Sequence, residues 1–127
     1  MINPLEKLTK DLIFISETDS PILPIELGMA TEVSIKQLRQ LADIDRTLAI
    51  EEVSIEQFFA RLTQIEAWHG PLETNRAKRF LMLEKHLQTH LRNVSVFKVG
   101  EIQREIFVVG LDSVDRLSGV RTRSIET

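Results

Sequence analysis

The stretch VFKVGEIQREIFVVGLDS, residues 96–113, has the clearest structural pattern in this sequence of 127 residues. Two runs of β-branched and aromatic residues stand on either side of a polar segment, Gly100 to Arg104. Two alternating runs joined by a short turn are typical of a β-hairpin. The pattern predicts strands over Val94–Val99 and Glu105–Leu111, and a third over Gly119–Ile125 after a Ser/Asp/Gly loop.

A long helix is predicted immediately before this hairpin, over Thr74–Asn93, where apolar side chains recur at helical spacing. Residues 63–75, which contain a Gly-Pro pair, are predicted to form the loop that leads into it. The inner face of the helix is predicted to consist of Ala77, Phe80, Leu83, Leu87 and Leu91, widened by Leu81 and Met82.

Three shorter helices are predicted nearer the N-terminus. The first covers residues 4–15, because Leu5, Leu8, Leu12 and Ile15 recur at helical spacing. The second covers residues 34–42 with Ser34 or Thr31 as its cap, and the third follows a capping box that begins at Ser54 and covers residues 54–62.

Two short strands complete the prediction, over residues 22–28 and 48–53, the first placed toward a sheet edge by Pro24. The resulting order is α-β-α-β-α-α-β-β-β, with a C-terminal antiparallel meander. Such an order predicts an α+β fold, arranged as a three-layer α-β-α sandwich. The length favours one domain over residues 1–127, large enough to fold without a metal or a disulfide.

Composition excludes several classes of protein. There is no cysteine, so disulfides and thiolate metal sites are excluded and a cytosolic location is permitted. The sequence has no apolar run long enough for a membrane span and no signal-peptide pattern at its start. We therefore expect a cytoplasmic protein that does not bind a membrane.

Charge is unevenly distributed along the chain. Residues 1–32 contain six acidic and two basic residues, whereas residues 71–104 contain seven basic and three acidic residues. The net charge of −3 and a sequence pI near 5.6 are unlike those of a nucleic-acid-binding domain, which is usually strongly basic. Direct nucleic-acid binding is therefore disfavoured.

The sequence gives little support for an enzyme or a bound cofactor. His86 and His90 share a helix face, but Leu87 stands where a zinc-protease motif requires Glu. His69 has no nucleophile partner that the sequence can locate, and two nearby acids, Asp43 and Asp45, are explained by a turn. No phosphate-binding glycine loop or nucleophile elbow occurs.

Three features are compatible with a contact with another molecule, and each also has an ordinary structural explanation. Trp68 stands in a polar loop, where an exposed tryptophan can serve as an interface residue or fold back over the core. The string SETDS, residues 16–20, is either an ordinary turn at the end of the first helix or a placed set of oxygen atoms, and nothing in the spacing favours Glu17 over Asp19. Thr127, at the end of the sequence, offers hard oxygen donors suited to a divalent cation.

Four segments together resemble the nuclease A inhibitor family of cyanobacteria and other bacteria. The resemblance extends along essentially the whole chain and is densest at its two ends. The segments are LIFISETDSP (residues 12–21), SIEQFF (54–59), VFKVGEIQREIFVVGLDS (96–113) and LSGVRTRSIET (117–127).

The resemblance implies a fold and a task. The fold is a three-layer α-β-α sandwich similar to that of plant pathogenesis-related proteins. The task is intracellular inhibition of a sugar-non-specific DNA/RNA endonuclease with a Mg²⁺ site. By motif match, Thr127 would lie at the partner's metal, Glu17 near its catalytic site and Trp68 against its surface. Ala67 replaces an acid of the best-known member, which leaves Glu66 as the nearest carboxylate.

These observations lead to one preferred function and two alternatives. The preferred one is a protein inhibitor of a nuclease, a monomer when free, with a contact surface made of Glu17, Asp19, Glu66, Trp68 and Thr127. The first alternative is a protein interaction module of the same fold whose partner is not a nuclease. A small hydrolase or metal enzyme is the second.

Overall fold

The computed structural model of the protein describes residues 4–126. The helices in this range are α1 (Pro4–Thr9), α2 (Ile35–Leu41), α3 (Ile55–Leu62) and α4 (Pro71–His90). The strands are β1 (Ile13–Ile15), β2 (Asp19–Pro21), β3 (Leu23–Met29), β4 (Ile50–Ser54), β5 (Arg92–Val99), β6 (Gln103–Leu111) and β7 (Arg116–Ile125). The mixture of helices and antiparallel strands confirms the predicted α+β class.

Five strands form one antiparallel sheet in the order β3-β7-β6-β5-β4. The predicted hairpin is its centre, with Phe97 opposite Phe107 and Val96 opposite Val108. Gly100 begins the turn with a φ of 100°, and a side chain there would place its Cβ 2.6 Å from the carbonyl oxygen of Gln103. The predicted meander is therefore confirmed, and β3 lies at the sheet edge as Pro24 indicates.

Apolar residues cover both faces of this sheet. On one face, which we call the α4 face, residues from β5, β6 and β7 such as Val96 and Val108 pack with α1, α3 and α4. On the other, the α2 face, Phe97, Phe107 and Val109 pack with α2 and its flanking loops. Because successive strand residues point to opposite faces, one strand supplies both clusters.

The long helix α4 starts and ends about three residues earlier than predicted. Pro71 occupies its first turn, where a residue without a backbone N–H is tolerated best. The inner-face prediction is confirmed for Ala77, Phe80, Leu83 and Leu87, which are buried. It is wrong in its two widening residues, Leu81 and Met82, whose exposed fractions are 38% and 56%.

Capping hydrogen bonds confirm the starts of α2 and α3. The backbone N–H of Gln37 donates to the hydroxyl of Ser34 at 3.2 Å, which resolves the choice between Ser34 and Thr31. The N–H of Gln57 donates to the hydroxyl of Ser54 at 3.1 Å. Each bond satisfies one of the N–H groups that the first helical turn leaves without an intrahelical partner.

The first predicted helix is wrong beyond Thr9. The Thr9 hydroxyl bonds back to the carbonyl oxygen of Leu5 at 2.6 Å, and Asp11 then takes a left-handed φ of 58°, which ends the helical path. Residues 13–15 are extended, and the ring of Phe14 stacks on Phe58 with centroids 5.7 Å apart. Strand propensity and this packing prevail over the helical spacing.

No helix within residues 4–126 is both long and apolar enough to cross a membrane.

Asp112 organises the loop between β6 and β7. Its carboxylate accepts hydrogen bonds from the N–H groups of Val114 and Arg116, both at 2.9 Å, and from the Ser118 hydroxyl at 3.2 Å. Burial alone would raise the pKa of Asp112, but these hydrogen bonds and the charge of Arg116 outweigh it and lower the pKa. Folding therefore favours the charged form of the Asp112 carboxylate.

We expect Asp112→Asn to lower the free energy of unfolding at pH 7 by about 1–3 kcal/mol, because a charged acceptor of several bonds is lost. A lowered pKa contributes stability that is fully present above the ordinary pKa of 3.8 and is lost as pH falls through the folded value. Urea unfolding at several pH values should show the difference from wild type shrinking below about pH 4.

Asp115→Asn is the matched control, since Asp115 lies in the same loop and its ion pair with Arg92 is 60% exposed on both sides. It should change stability by less than about 0.5 kcal/mol. An Asp112→Asn effect that is equally small, or independent of pH, would contradict the assignment.

Candidate protein-binding site

The string Ser16-Glu17-Thr18 forms the tip of a β-hairpin. Strands β1 and β2 pair antiparallel, with Ile15 opposite Asp19. The Ser16 N–H donates to the carbonyl oxygen of Thr18 at 3.0 Å, and the Ser16 hydroxyl donates to the same oxygen at 3.2 Å. Glu17 is the exposed central residue of this tight turn, and Asp19 is exposed on β2.

This hairpin packs on the end of β7. Strand β3 pairs with β7 only as far as Arg121, and the hairpin lies along the part of β7 that continues beyond it. The Thr122 hydroxyl donates to the carbonyl oxygen of Pro21 at 3.0 Å, and the N–H of Ile125 donates to the Ser16 hydroxyl at 3.0 Å. The turn with Glu17 is therefore bonded directly to the last residues of β7.

Thr127 lies outside the described residues, and Glu126 precedes it. The N–H of Glu126 donates to the carbonyl oxygen of Ile102 at 2.9 Å. Its carboxylate lies 2.8 Å from Arg104 Nη1 and 3.7 Å from Lys98 Nζ, and Arg104 also reaches Glu51 at 3.4 Å. We call Lys98, Arg104, Glu51 and Glu126 the ionic clasp.

The ionic clasp is partly withdrawn from water. The side chains of Arg104 and Lys98 are only 15% and 20% exposed, so solvent screens their ion pairs less than it screens pairs at the surface. Lys98 of β5 and Arg104 of β6 contact Glu126, and Glu51 of β4 contacts Arg104. The backbone just before Thr127 is held separately, by the hydrogen bond from the Ile125 N–H to Ser16 and by that from the Glu126 N–H to Ile102.

A groove separates the hairpin from α3. Its volume is about 640 Å³, and its lining includes Phe14 and Ser16 from the hairpin, Arg61 and Leu62 from the last turn of α3, and Glu126. On the helix side the lining residues end at Leu62, the last residue of α3, so the groove brings together the hairpin, α3 and Glu126.

Trp68 is presented on the loop between α3 and α4 with 77% of its surface exposed. The N–H of Glu66 donates to His69 Nδ1 at 3.0 Å, and the rings of Trp68 and His69 meet edge to face with centroids 4.2 Å apart. Gln64 also donates to the carboxylate of Glu66, which is half-buried. Of the two interpretations of Trp68, the structure favours an exposed residue over one folded back on the core.

Two residues that the sequence interpretation missed flank Trp68. Ile65 and Leu72 are 51% and 78% exposed, which is unusual for large apolar side chains. Ile65 lies in a polar loop and Leu72 in the first turn of α4. These positions are the sequence features that could have indicated exposure, but apolar residues at such positions are more often buried.

The histidine pair on α4 does not form a larger ligand set. The rings of His86 and His90 are 4.1 Å apart, and burial together with the charge of His90 lowers the pKa of His86. Among residues 4–126 no three His, Asp or Glu side chains are grouped so that they could hold a metal ion. Asp45 accepts two hydrogen bonds from Thr47, consistent with the predicted turn.

We expect Arg104→Met to lower the free energy of unfolding by about 1–3 kcal/mol, because it leaves Glu126 and Glu51 without their shared partner. Arg123→Met is the matched control, since Arg123 lies 3.7 Å from Glu105 with 72% of its side chain exposed and should cost less than about 0.5 kcal/mol. Urea unfolding measures both. Equal effects would show that the ionic clasp is no stronger than a surface pair.

Comparison with known proteins supplies the family. The profile of a family described as nuclease A inhibitor-like protein matches residues 1–127, which is the whole sequence. A search among curated proteins finds no match. The family match confirms the resemblance noted for the four sequence segments, because it extends through all of them. The chain belongs to the nuclease A inhibitor-like family.

Proposed function

We propose that this protein inhibits a sugar-non-specific DNA/RNA endonuclease by binding at its Mg²⁺-containing active site. Family membership supports a nuclease as the partner. The observation that best supports the binding mode is the bond between Ser16 and Ile125, which joins positions 109 residues apart in the sequence. It places the turn with Glu17 beside the strand end that leads to Thr127.

The proposed mechanism depends on charge complementarity. A nuclease active site must attract phosphate, so it presents cationic side chains and a metal ion. The Glu17 carboxylate would occupy the position of a substrate anion, with Asp19 adding negative charge nearby. Oxygen atoms of Thr127 would fill a ligand position at the partner's Mg²⁺ that water or the scissile phosphate otherwise uses. Inhibition then results from occupying the site rather than from any catalysis.

The remaining contact is apolar. Trp68 would pack on the nuclease surface beside the active site, with Glu66 as the carboxylate nearest to it. Large aromatic side chains contribute strongly to interfaces when polar groups around them exclude water. The exposure of the tryptophan and the local hydrogen bond between Glu66 and His69 on either side of it support this role.

Three further properties belong to the same proposal. The fold is a three-layer α-β-α sandwich similar to that of pathogenesis-related proteins, which the apolar clusters on both sheet faces support. The protein is a cytoplasmic bacterial monomer that does not catalyse a reaction and needs no cofactor. Its mild acidity supports a protein partner rather than a nucleic acid or a membrane.

Deleting Thr127, or extending the chain beyond it, should weaken inhibition of a Mg²⁺-loaded nuclease by at least about tenfold, because a metal ligand is removed or displaced. Glu17→Gln should have a similar effect that becomes smaller at high salt, since it acts through charge. Inhibition constants measured at low and high salt test both variants. Glu32→Gln, an exposed acid on the loop before α2, is the control. Full inhibition by both site variants would refute the proposed mode.

Trp68→Ala should weaken binding by about tenfold to a hundredfold while leaving the unfolding midpoint unchanged, because the ring is exposed in the free protein. Isothermal titration against the Mg²⁺-loaded nuclease gives the affinity. Met29→Ala provides a matched change, since Met29 is 65% exposed on β3 and outside the proposed surface. Equal losses in the two variants would rule out a specific role for Trp68.

A further inference from the structure

We infer that Ser16 is a positioning residue, whose hydroxyl fixes the Glu17 turn and the end of β7 as one rigid contact surface. This inference rests on the proposed function. Ser16 itself would not contact the nuclease. Its role would be to hold in place the residues that make that contact.

The hydroxyl of Ser16 uses its full bonding capacity. A serine hydroxyl has one proton to donate and two lone pairs that accept. Its proton goes to the carbonyl oxygen of Thr18 at 3.2 Å, while its lone pairs face the N–H of Ile125 at 3.0 Å and that of Thr18 at 3.4 Å. One side chain thereby closes the turn and attaches it to β7.

The position of this bond in the sheet explains why it is needed. Arg121 is the last residue of β7 that pairs with β3, opposite Leu23. Beyond it the N–H of Ile125 has no partner strand on that side, and Ser16 supplies the acceptor. Without the hydroxyl, this N–H would bond to water and the hairpin would lose this hydrogen bond to β7 near its tip.

Rigid presentation has a direct consequence for binding. Ordering a flexible turn or strand end on association opposes binding, so contacts that are already fixed in the free protein bind more tightly. The ionic clasp fixes Glu126 from the opposite side, through Arg104 at 2.8 Å. Ser16 therefore sets the spacing between the Glu17 turn and the strand that leads to Thr127.

The central test compares Ser16→Ala, Ser16→Thr and Ser34→Ala for affinity toward a Mg²⁺-loaded sugar-non-specific endonuclease. Ser16→Ala should weaken binding by about five- to twentyfold, mainly through faster dissociation, and Ser16→Thr, which keeps the hydroxyl, should restore it. Ser34→Ala also removes one serine bond, the N-cap of α2 on the other sheet face, and should leave affinity unchanged. Equal losses in Ser16→Ala and Ser34→Ala would overturn the inference.

A double-mutant cycle separates positioning from general destabilisation. If Ser16 acts by holding the turn, Ser16→Ala should cost less affinity in a Glu17→Gln background than in wild type, because the positioned carboxylate is already absent. Additive losses would overturn the inference. Amide hydrogen exchange of the free protein adds a measurement that needs no nuclease: Ser16→Ala should reduce protection at Ile125, and unchanged protection would also overturn it.

Failure of the proposed function gives a different result. If the unchanged chain does not bind the nuclease, both the function and the role of Ser16 in it are overturned. If the unchanged chain binds and the Ser16 variants bind equally well, only the inference fails.

Discussion

Strand β6 imposes the main constraint on this fold, because it is buried on both faces. Six consecutive residues, Ile106 to Leu111, are withdrawn from water, and they alternate between the two apolar clusters where their side chains are large. A strand with this burial needs cover on both sides. Helices α1, α3 and α4 supply it on one face and α2 on the other.

The same constraint leads to the candidate site. Strand β7 pairs with β6 along its whole length, from Leu117 to Ile125, but its other edge is paired by β3 only as far as Arg121. The exposed remainder would be an open edge with unsatisfied backbone groups. The β1–β2 hairpin covers it, and this brings the N-terminal turn to the C-terminal strand. The same hairpin therefore covers the free edge of β7 and carries part of the proposed contact surface.

Local sequence patterns predicted the meander, the caps and the buried face of α4 correctly, because short-range periodicity and turn chemistry decide those features. They failed between Leu12 and Ile15, where apolar spacing suited a helix. There the outcome depends on Phe58 and on the end of β7, which are distant in sequence. The same reason explains the missed exposure of Ile65 and Leu72, since single-residue hydrophobicity does not state which apolar residues remain outside the core.

Prediction of the site had a different limit. Composition and spacing could not separate Glu17 from Asp19, and a resemblance to known inhibitors was needed to prefer Glu17. The two acids are both exposed in the structure but differ in their backbone setting. Glu17 is the central residue of a three-residue connection, whereas Asp19 is held in the strand pair opposite Ile15.

The last described residue, Glu126, takes part in ion pairs within the protein. The side chain of Glu126 is 41% exposed, but its carboxylate is paired with the side chains of Lys98 and Arg104, which partly balance its charge. Removing an unpaired carboxylate from water on binding would cost free energy. Because the Glu126 carboxylate is paired, this cost is smaller next to Thr127. In the proposed inhibition, two exposed acids of the hairpin, Glu17 on the turn and Asp19 on β2, would face a cationic site. Because the turn is bonded to β7 through Ser16, the backbone of the sheet sets its position.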